Sequence, residues 1–214
     1  MNEDDAAKRE FIIAFFDDLE EKIRFLPELY RSGRRHEARI LCTAYLDGLG
    51  NWIYHESVGS SRNFAMVLID HGEEEVMSLV LPDRLLSSLP WKSAPAETEV
   101  ELKKCTRALP INQAFSQSDF LDIVESHLTP QQCEWLKLEI YRGTIASIVF
   151  TEIRSSNVHW LGSADALSFS KSFHMGHPLP NIDFWMLHRA LLKVAAYARD
   201  LSLSTNKWFG SDSI

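Results

Sequence analysis

The strongest constraint on the fold is the period at which apolar residues recur. Ile12, Phe15, Phe16, Leu19, Ile23 and Leu26 follow i, i+3, i+4, i+7 spacing, which lines one face of an α-helix. That helix is expected to begin near Asn2 or Asp4. Pro27 lacks a backbone donor and crowds the preceding turn, so a kink or a restart is expected there. Leu29-Tyr30 then leads to a stop at Ser32-Gly33. A second helix is predicted over 36–54, where Ile40, Leu41, Ala44, Tyr45, Gly48, Leu49, Trp52 and Ile53 recur in pairs. Gly48 and Gly50 each cost roughly 1 kcal/mol against alanine, which makes sense where another helix packs close. A third helix is predicted over 61–71, with Phe64, Val67 and Leu68 inward and Gly72 as its C-terminal cap.

Residues 73–117 carry no clear period. Short helical stretches around 75–80 and 84–89 run into Pro82 and Pro90, and 92–97 has the make-up of an exposed loop. The stretch is predicted to be an insertion between two helical halves. Beyond it, Ser118 or Asp119 is expected to cap a helix through Leu128. Thr129-Pro130 is an N-cap and N1 pair for the next helix, predicted over 130–158, with Leu138, Tyr141, Ile145, Ile148 and Val149 on one face and Leu136, Ile140 and Ile153 broadening it. Gly162 would end it. The alternation over 167–173 predicts a short strand or extended arm. Asn181 is expected to cap a last helix to about 203, with Asp183 serving its N-terminus and Phe184, Leu187, Leu191, Val194, Ala195, Ala198 and Leu201 inward. The sum is an all-α helical bundle with a small extended or β arm before the C-terminal helix, over 1–214 as a single domain.

Composition narrows the class. Hydrophobic residues make up 45% of the chain, enough for a packed core. No run approaches the roughly 20 apolar residues of a membrane span, and the start, Met1-Asn2-Glu3-Asp4-Asp5, is acidic where a leader would be basic. Cys42, Cys105 and Cys133 have no paired or CxxC spacing, and read as free thiols of a reducing compartment. A cytoplasmic protein is expected. The net charge of −8 argues against a broad nucleic-acid-binding face, although a local basic pocket acting on one phosphodiester remains compatible with it.

The residue types suited to chemistry are concentrated in Arg154-Ser155-Ser156-Asn157-Val158-His159. A guanidinium forks onto phosphate oxygens, and an imidazole takes or gives a proton near neutrality. Five positions on an ideal helix turn two side chains about 140° apart. Arg154 and His159 would therefore converge only in a frayed helix end or with a second subunit completing the pocket. A like-spaced pair, Arg31 and His36, lies in the basic cluster Arg31-Arg34-Arg35-His36-Arg39 at the start of a helix. It reads either as a solvated junction or as a contact to an RNA backbone. His174 and His177 lack a carboxylate or Cys at metal spacing, and His188 sits at the edge of the last helix's apolar face. Gly-rich phosphate loops, G-x-S-x-G and HExxH are absent from the sequence, so no cofactor and no metal is called for.

The stretch Ala146-Ser147-Ile148-Val149-Phe150-Thr151-Glu152-Ile153-Arg154 through His159 resembles the R-x4-6-H helix of the HEPN family (higher eukaryotes and prokaryotes nucleotide-binding domains). The arm and capped last helix that follow are similar too, as are the runs 40–50 and Ser61-Arg62-Asn63-Phe64. The likeness covers about half of the chain and leaves out its middle. It implies a bundle that dimerises about its central helices and brings Arg154 and His159 of both subunits to one cleft. It also implies a metal-independent ribonuclease of toxin–antitoxin or defence systems, with His159 moving protons and Arg154 stabilising charge on the phosphate. Many active members carry a polar residue, often Asn, directly after the arginine; here Ser155 stands there, with Asn157 two positions on. The expected partners are RNA, a second copy of the chain, and an antitoxin or defence-complex protein. The competing expectation is a non-catalytic interaction module of the same fold.

Overall fold

The computed structural model describes residues 3–54, 59–109, 113–151, 173–174, 177–178 and 183–207. Helix α1 spans Glu3–Arg31, α2 Arg35–Ile53 and α3 Ser60–His71. Four shorter helices follow: α4 (Pro82–Ser88), α5 (Thr98–Arg107), α6 (Gln117–Glu125) and α7 (Pro130–Glu139). Then come α8 (Ile145–Val149) and, after an antiparallel pair of two-residue strands, β1 (Phe173–His174) and β2 (His177–Pro178), the last helix α9 (Phe184–Thr205). The chain is the expected helical bundle; β1 and β2 precede the C-terminal helix, while residues 167–172 of the expected arm lie outside the described residues. Among the described residues no helix is long and apolar enough to cross a membrane.

Two buried clusters hold the chain. In the larger one, α1, α2, α3, α8 and α9 pack around Ile12, Phe16, Leu46, Phe64, Phe184 and Leu191, all 1% exposed or less. This is the apolar stripe read from the sequence, with Ile12, Phe16, Leu19, Ile23 and Leu26 inward and Phe15 turned to the rim. The second cluster joins Val80, Leu85, Leu102, Phe120, Leu136 and Ile140. It therefore draws in α6 and α7 and reaches beyond the 73–117 stretch singled out by its missing period.

The chain at Leu79–Leu81 clasps the two clusters together. Val80 exchanges backbone hydrogen bonds with Phe115 at 2.7 and 3.0 Å, Leu81 N donates to Gly143 O at 2.9 Å, and Ile145 N donates to Leu79 O at 3.0 Å. This clasp corrects the single helix expected over 130–158. The α-helix stops at Glu139, a 3-10 turn covers Ile140–Gly143, and Thr144 restarts the chain as α8, its hydroxyl accepting from Ser147 N at 3.3 Å. Backbone groups that a continuous helix would have used internally are spent on the Leu79–Leu81 segment. The break also changes which face is inside: Leu138, expected inward, is 58% exposed, while Leu136 is fully buried. Residues 152–158 and Gly162 lie outside the described residues.

The other helix ends follow local chemistry, with shifts. Thr129 and Gln132 form a reciprocal capping box at the start of α7. Ser116, two residues before the expected cap, accepts from Asp119 N at 3.0 Å, and Asp183 caps α9 through Met186 N at 2.8 Å. Asn181, expected there, lies outside the described residues. Gly72 does close α3, with helical rather than left-handed backbone. Gly50 is where α3 comes closest to α2, since a Cβ there would lie 2.8 Å from the Asn63 carbonyl oxygen; Gly48, by contrast, is exposed.

Pro27 neither ends nor restarts α1. Proline at this position deprives the carbonyl four residues earlier, that of Ile23, of its helical donor. His188 of α9 supplies one, its Nε2 lying 3.1 Å from Ile23 O. The structure thus explains both the uninterrupted helix and the satisfied histidine at the edge of the core. Burial lowers the His188 pKa from its ordinary 6.5, partly offset by the bond to Ile23. A folded-state pKa below the unfolded one means that the fold favours the neutral ring, so stability is full above the ordinary value and declines as pH falls below it. Denaturant titrations over about pH 7.5 to 5, a range that brackets the ordinary imidazole value, should show stability falling on acidification. In His188→Gln the curve should be flatter; equal slopes would remove His188 as the cause.

Candidate nucleic-acid interface

The turn from α1 to α2 concentrates positive charge on a chain that is otherwise acidic. Between residues 31 and 39 stand four arginines and a histidine against one acid, Glu37. Gly33 makes the turn with a φ of 93°, a conformation that other L-residues adopt only with strain. Arg31 ends α1, where a cation suits the helix dipole. Arg35 begins α2, where the dipole opposes it, so its position needs another source of stabilisation.

Aromatic rings provide it. The Arg35 and Arg39 guanidiniums lie 5.6 and 5.9 Å from the centre of the Tyr30 ring, and Arg31 lies 5.1 Å over Trp185. Tyr30 in turn stacks on Phe184, with centroids 4.3 Å apart and planes 7° from parallel. Trp185 meets Tyr30 edge-on at 5.8 Å. Each such cation–π contact is worth about 0.5–1 kcal/mol at an exposed site. The fold supplies the geometry: Phe184 is fully buried and anchors the N-terminus of α9 beside the α1–α2 turn. Two helix N-termini, those of α2 and α9, therefore open at the same end of the bundle as the arginines.

The charges differ in how they are occupied. Arg34 Nε pairs with Glu37 Oε1 at 3.1 Å. Glu37's carboxyl is held below its ordinary range, first by a backbone N–H and then by Arg34. Arg31 and Arg35 are exposed, and among the described residues neither has a carboxylate within ion-pair distance. His36 is half-buried, and its Nε2 has no hydrogen-bond partner among the described residues. Arg31 and Arg35, each over an aromatic ring, carry N–H groups whose forked arrangement matches the paired oxygens of a phosphate. The arrangement can bind a phosphate backbone or stack on an unpaired base.

Of the residues singled out from the sequence, Arg154 and His159 lie outside the described residues. Arg31 and His36 fall on opposite sides of the turn, Arg31 over Trp185. His174 and His177 are register partners in the pairing of β1 and β2, and among the described residues no group of His, Cys, Asp and Glu could hold a metal ion. The parts that sequence reading missed are Tyr30 and Trp185. Tyr30 adjoins the basic run, but Trp185 lies 154 positions beyond Arg31 in the chain, and only the packing of α9 against α1 brings it near. No family model, no curated protein and no solved structure matches the chain.

Proposed function

We propose that this chain is a metal-independent endoribonuclease of the HEPN type, acting as a cytoplasmic homodimer with Arg154 and His159 in its cleft. The observation that carries the reading is the pair of exposed arginines, Arg31 and Arg35, which lie over Trp185 and Tyr30 and have no carboxylate partner among the described residues. On a chain of net charge −8, unneutralised cations gathered at one end favour an anionic ligand.

In this chemistry the ribose 2′-oxygen attacks the adjacent phosphorus and the bond to the 5′-oxygen breaks, leaving a 2′,3′-cyclic phosphate. His159 takes the 2′-hydroxyl proton and returns one to the departing 5′-oxygen. Arg154 stabilises the charge that develops on the phosphate, and Arg31 and Arg35 hold the flanking backbone. A second reading, a non-catalytic interaction module of a toxin–antitoxin or defence complex, is favoured by the acidic net charge and by Ser155 at the position after the arginine.

Incubating purified protein with single-stranded and hairpin RNAs in EDTA, and mapping the ends, separates the two. The ribonuclease is expected to leave cyclic-phosphate ends. Arg154→Ala and His159→Ala should each slow cleavage by about 10²-fold or more, while Arg31→Ala/Arg35→Ala should raise KM and leave kcat near wild type. A folded protein that cuts none of these RNAs would favour the interaction module, as would variants that cut like wild type.

A further inference from the structure

The charges around the α1–α2 turn select among forms of nucleic acid. Arg31 and Arg35 are exposed and meet no carboxylate among the described residues. Acids stand in the adjoining turns. Glu28 lies one turn before Arg31 on α1, Asp183 lies two positions before Trp185 as the N-cap of α9, and both are exposed. Glu37 is engaged by Arg34 at 3.1 Å. The turn therefore offers two unneutralised cations with carboxylates nearby, on a chain of net charge −8. A duplex presents two rows of phosphates, and those beyond the arginines' reach would meet negative surface. A single strand brings few phosphates at a time and bends the rest away.

The rings add a second criterion. Phe184 stacks on Tyr30 with centroids 4.3 Å apart, Arg35 lies over the same Tyr30 ring, and Arg31 lies over Trp185. Tyr30 and Trp185 are half-buried while the two arginines are exposed, so the group offered to a ligand is the guanidinium and the ring is its support. Guanidinium planes stack unpaired bases as aromatic side chains do, and bases paired within a duplex are closed to such contact. Each arginine then serves a nucleotide twice, with its N–H groups for the phosphate and its plane for the base.

We propose that the α1–α2 turn is a site for single-stranded RNA, engaging a phosphate at each of Arg31 and Arg35 and stacking unpaired bases on them. This rests on the RNA-directed reading above and names the form of RNA that the site accepts. Fluorescence anisotropy of the full chain with a labelled 2′-O-methyl RNA strand tests it, because a strand without a free 2′-hydroxyl reports binding alone. The strand should bind about tenfold or more tighter than the same sequence annealed to its complement, since only unpaired bases stack. The slope of log K against log salt concentration should be about −1.4, the value for two phosphates on a single strand. Arg31→Ala/Arg35→Ala should bring that slope close to zero. Arg31→Lys/Arg35→Lys should keep the slope, because the charges stay, yet bind about fivefold or more weakly, because the stacking plane is lost. Both pairs of changes fall on exposed side chains, and circular dichroism should match wild type. A duplex bound as tightly as the strand, or a salt slope that the alanine changes leave intact, would overturn the inference. Cleavage of the unmodified strand, followed on the same samples, separates this from the activity: binding of this kind without cleavage defeats the ribonuclease alone, and cleavage without any preference for the single strand in binding defeats this site alone.

Discussion

Phe64→Ala is expected to destabilise the protein by about 3–5 kcal/mol, as large-to-small changes at fully buried aromatic positions do. Phe64 is 0% exposed, and its ring lies 5.3 Å from that of Phe150. It stands where α3 meets the end of α8, so the truncation would leave a cavity between the two elements. Neighbouring Gly50 already presses α3 onto α2, and Asn63 is tied to Asn51 by a 3.1 Å hydrogen bond; α3 thus has little freedom to collapse into the space. For a chain of this size the loss corresponds to a fall in Tm of roughly 6–20 °C. Leu138→Ala, at a position 58% exposed, should shift stability by less than about 0.5 kcal/mol. Thermal unfolding of both variants checks the assignment, and a Phe64→Ala protein that melts with the Leu138→Ala control would mean that Phe64 is not buried.

Gly143→Ala should act at the seam between the two clusters. A Cβ on Gly143 would lie 2.5 Å from the Cβ of Leu85 and 3.1 Å from its Cα. Neither atom belongs to a flexible side-chain end, so α4 or the 140–143 turn must move as a body. Overpacking of this kind costs about 1–3 kcal/mol, and here the movement also strains the Leu81 N to Gly143 O bond and the Ser88 hydroxyl's 3.2 Å bond to Arg142 O. The expected result is a lower melting point together with faster backbone hydrogen exchange in α4 and α5 than in α1 and α9. Uniform exchange in every helix, at wild-type stability, would show that the close approach is not a constraint.

The larger cluster was legible because its helices are long and each carries a single apolar stripe. Along α1 the periodic positions other than Phe15 point inward, and along α9 Leu187, Leu191, Val194 and Ala198 do the same. The middle was illegible because its helices are short and bury residues that carry no hydropathy signal. Helix α5 went unseen for this reason: its buried positions include Thr98 and Thr106, whose hydroxyls bond to the carbonyls of Pro95 and Leu102. The visible clue was the acid–base pairing at helical spacing, Glu99 with Lys103 and Glu101 with Lys104. The break at Gly143 was hidden for a different reason. Apolar residues continue through it, and what ends the helix is a strand-like partner sixty residues earlier in the chain (Leu79–Leu81), roughly the distance from which no local pattern can be read. At the candidate interface the arginines were evident in the sequence, whereas the rings that organise them depended on tertiary contact.

Pro27 and His188 make two distant positions answerable to each other. The proline leaves a carbonyl without a donor inside a helix, and the histidine of another helix meets that need. Replacing the histidine alone strands the carbonyl in the core, a loss typical of an unsatisfied buried acceptor. Once residue 27 regains an N–H, the same replacement has much less to lose. Substitutions at position 188 should therefore be tolerated or rejected according to what stands at position 27. In descendants of this sequence the order of change would matter: the proline would go first, and only then would the histidine be free to vary.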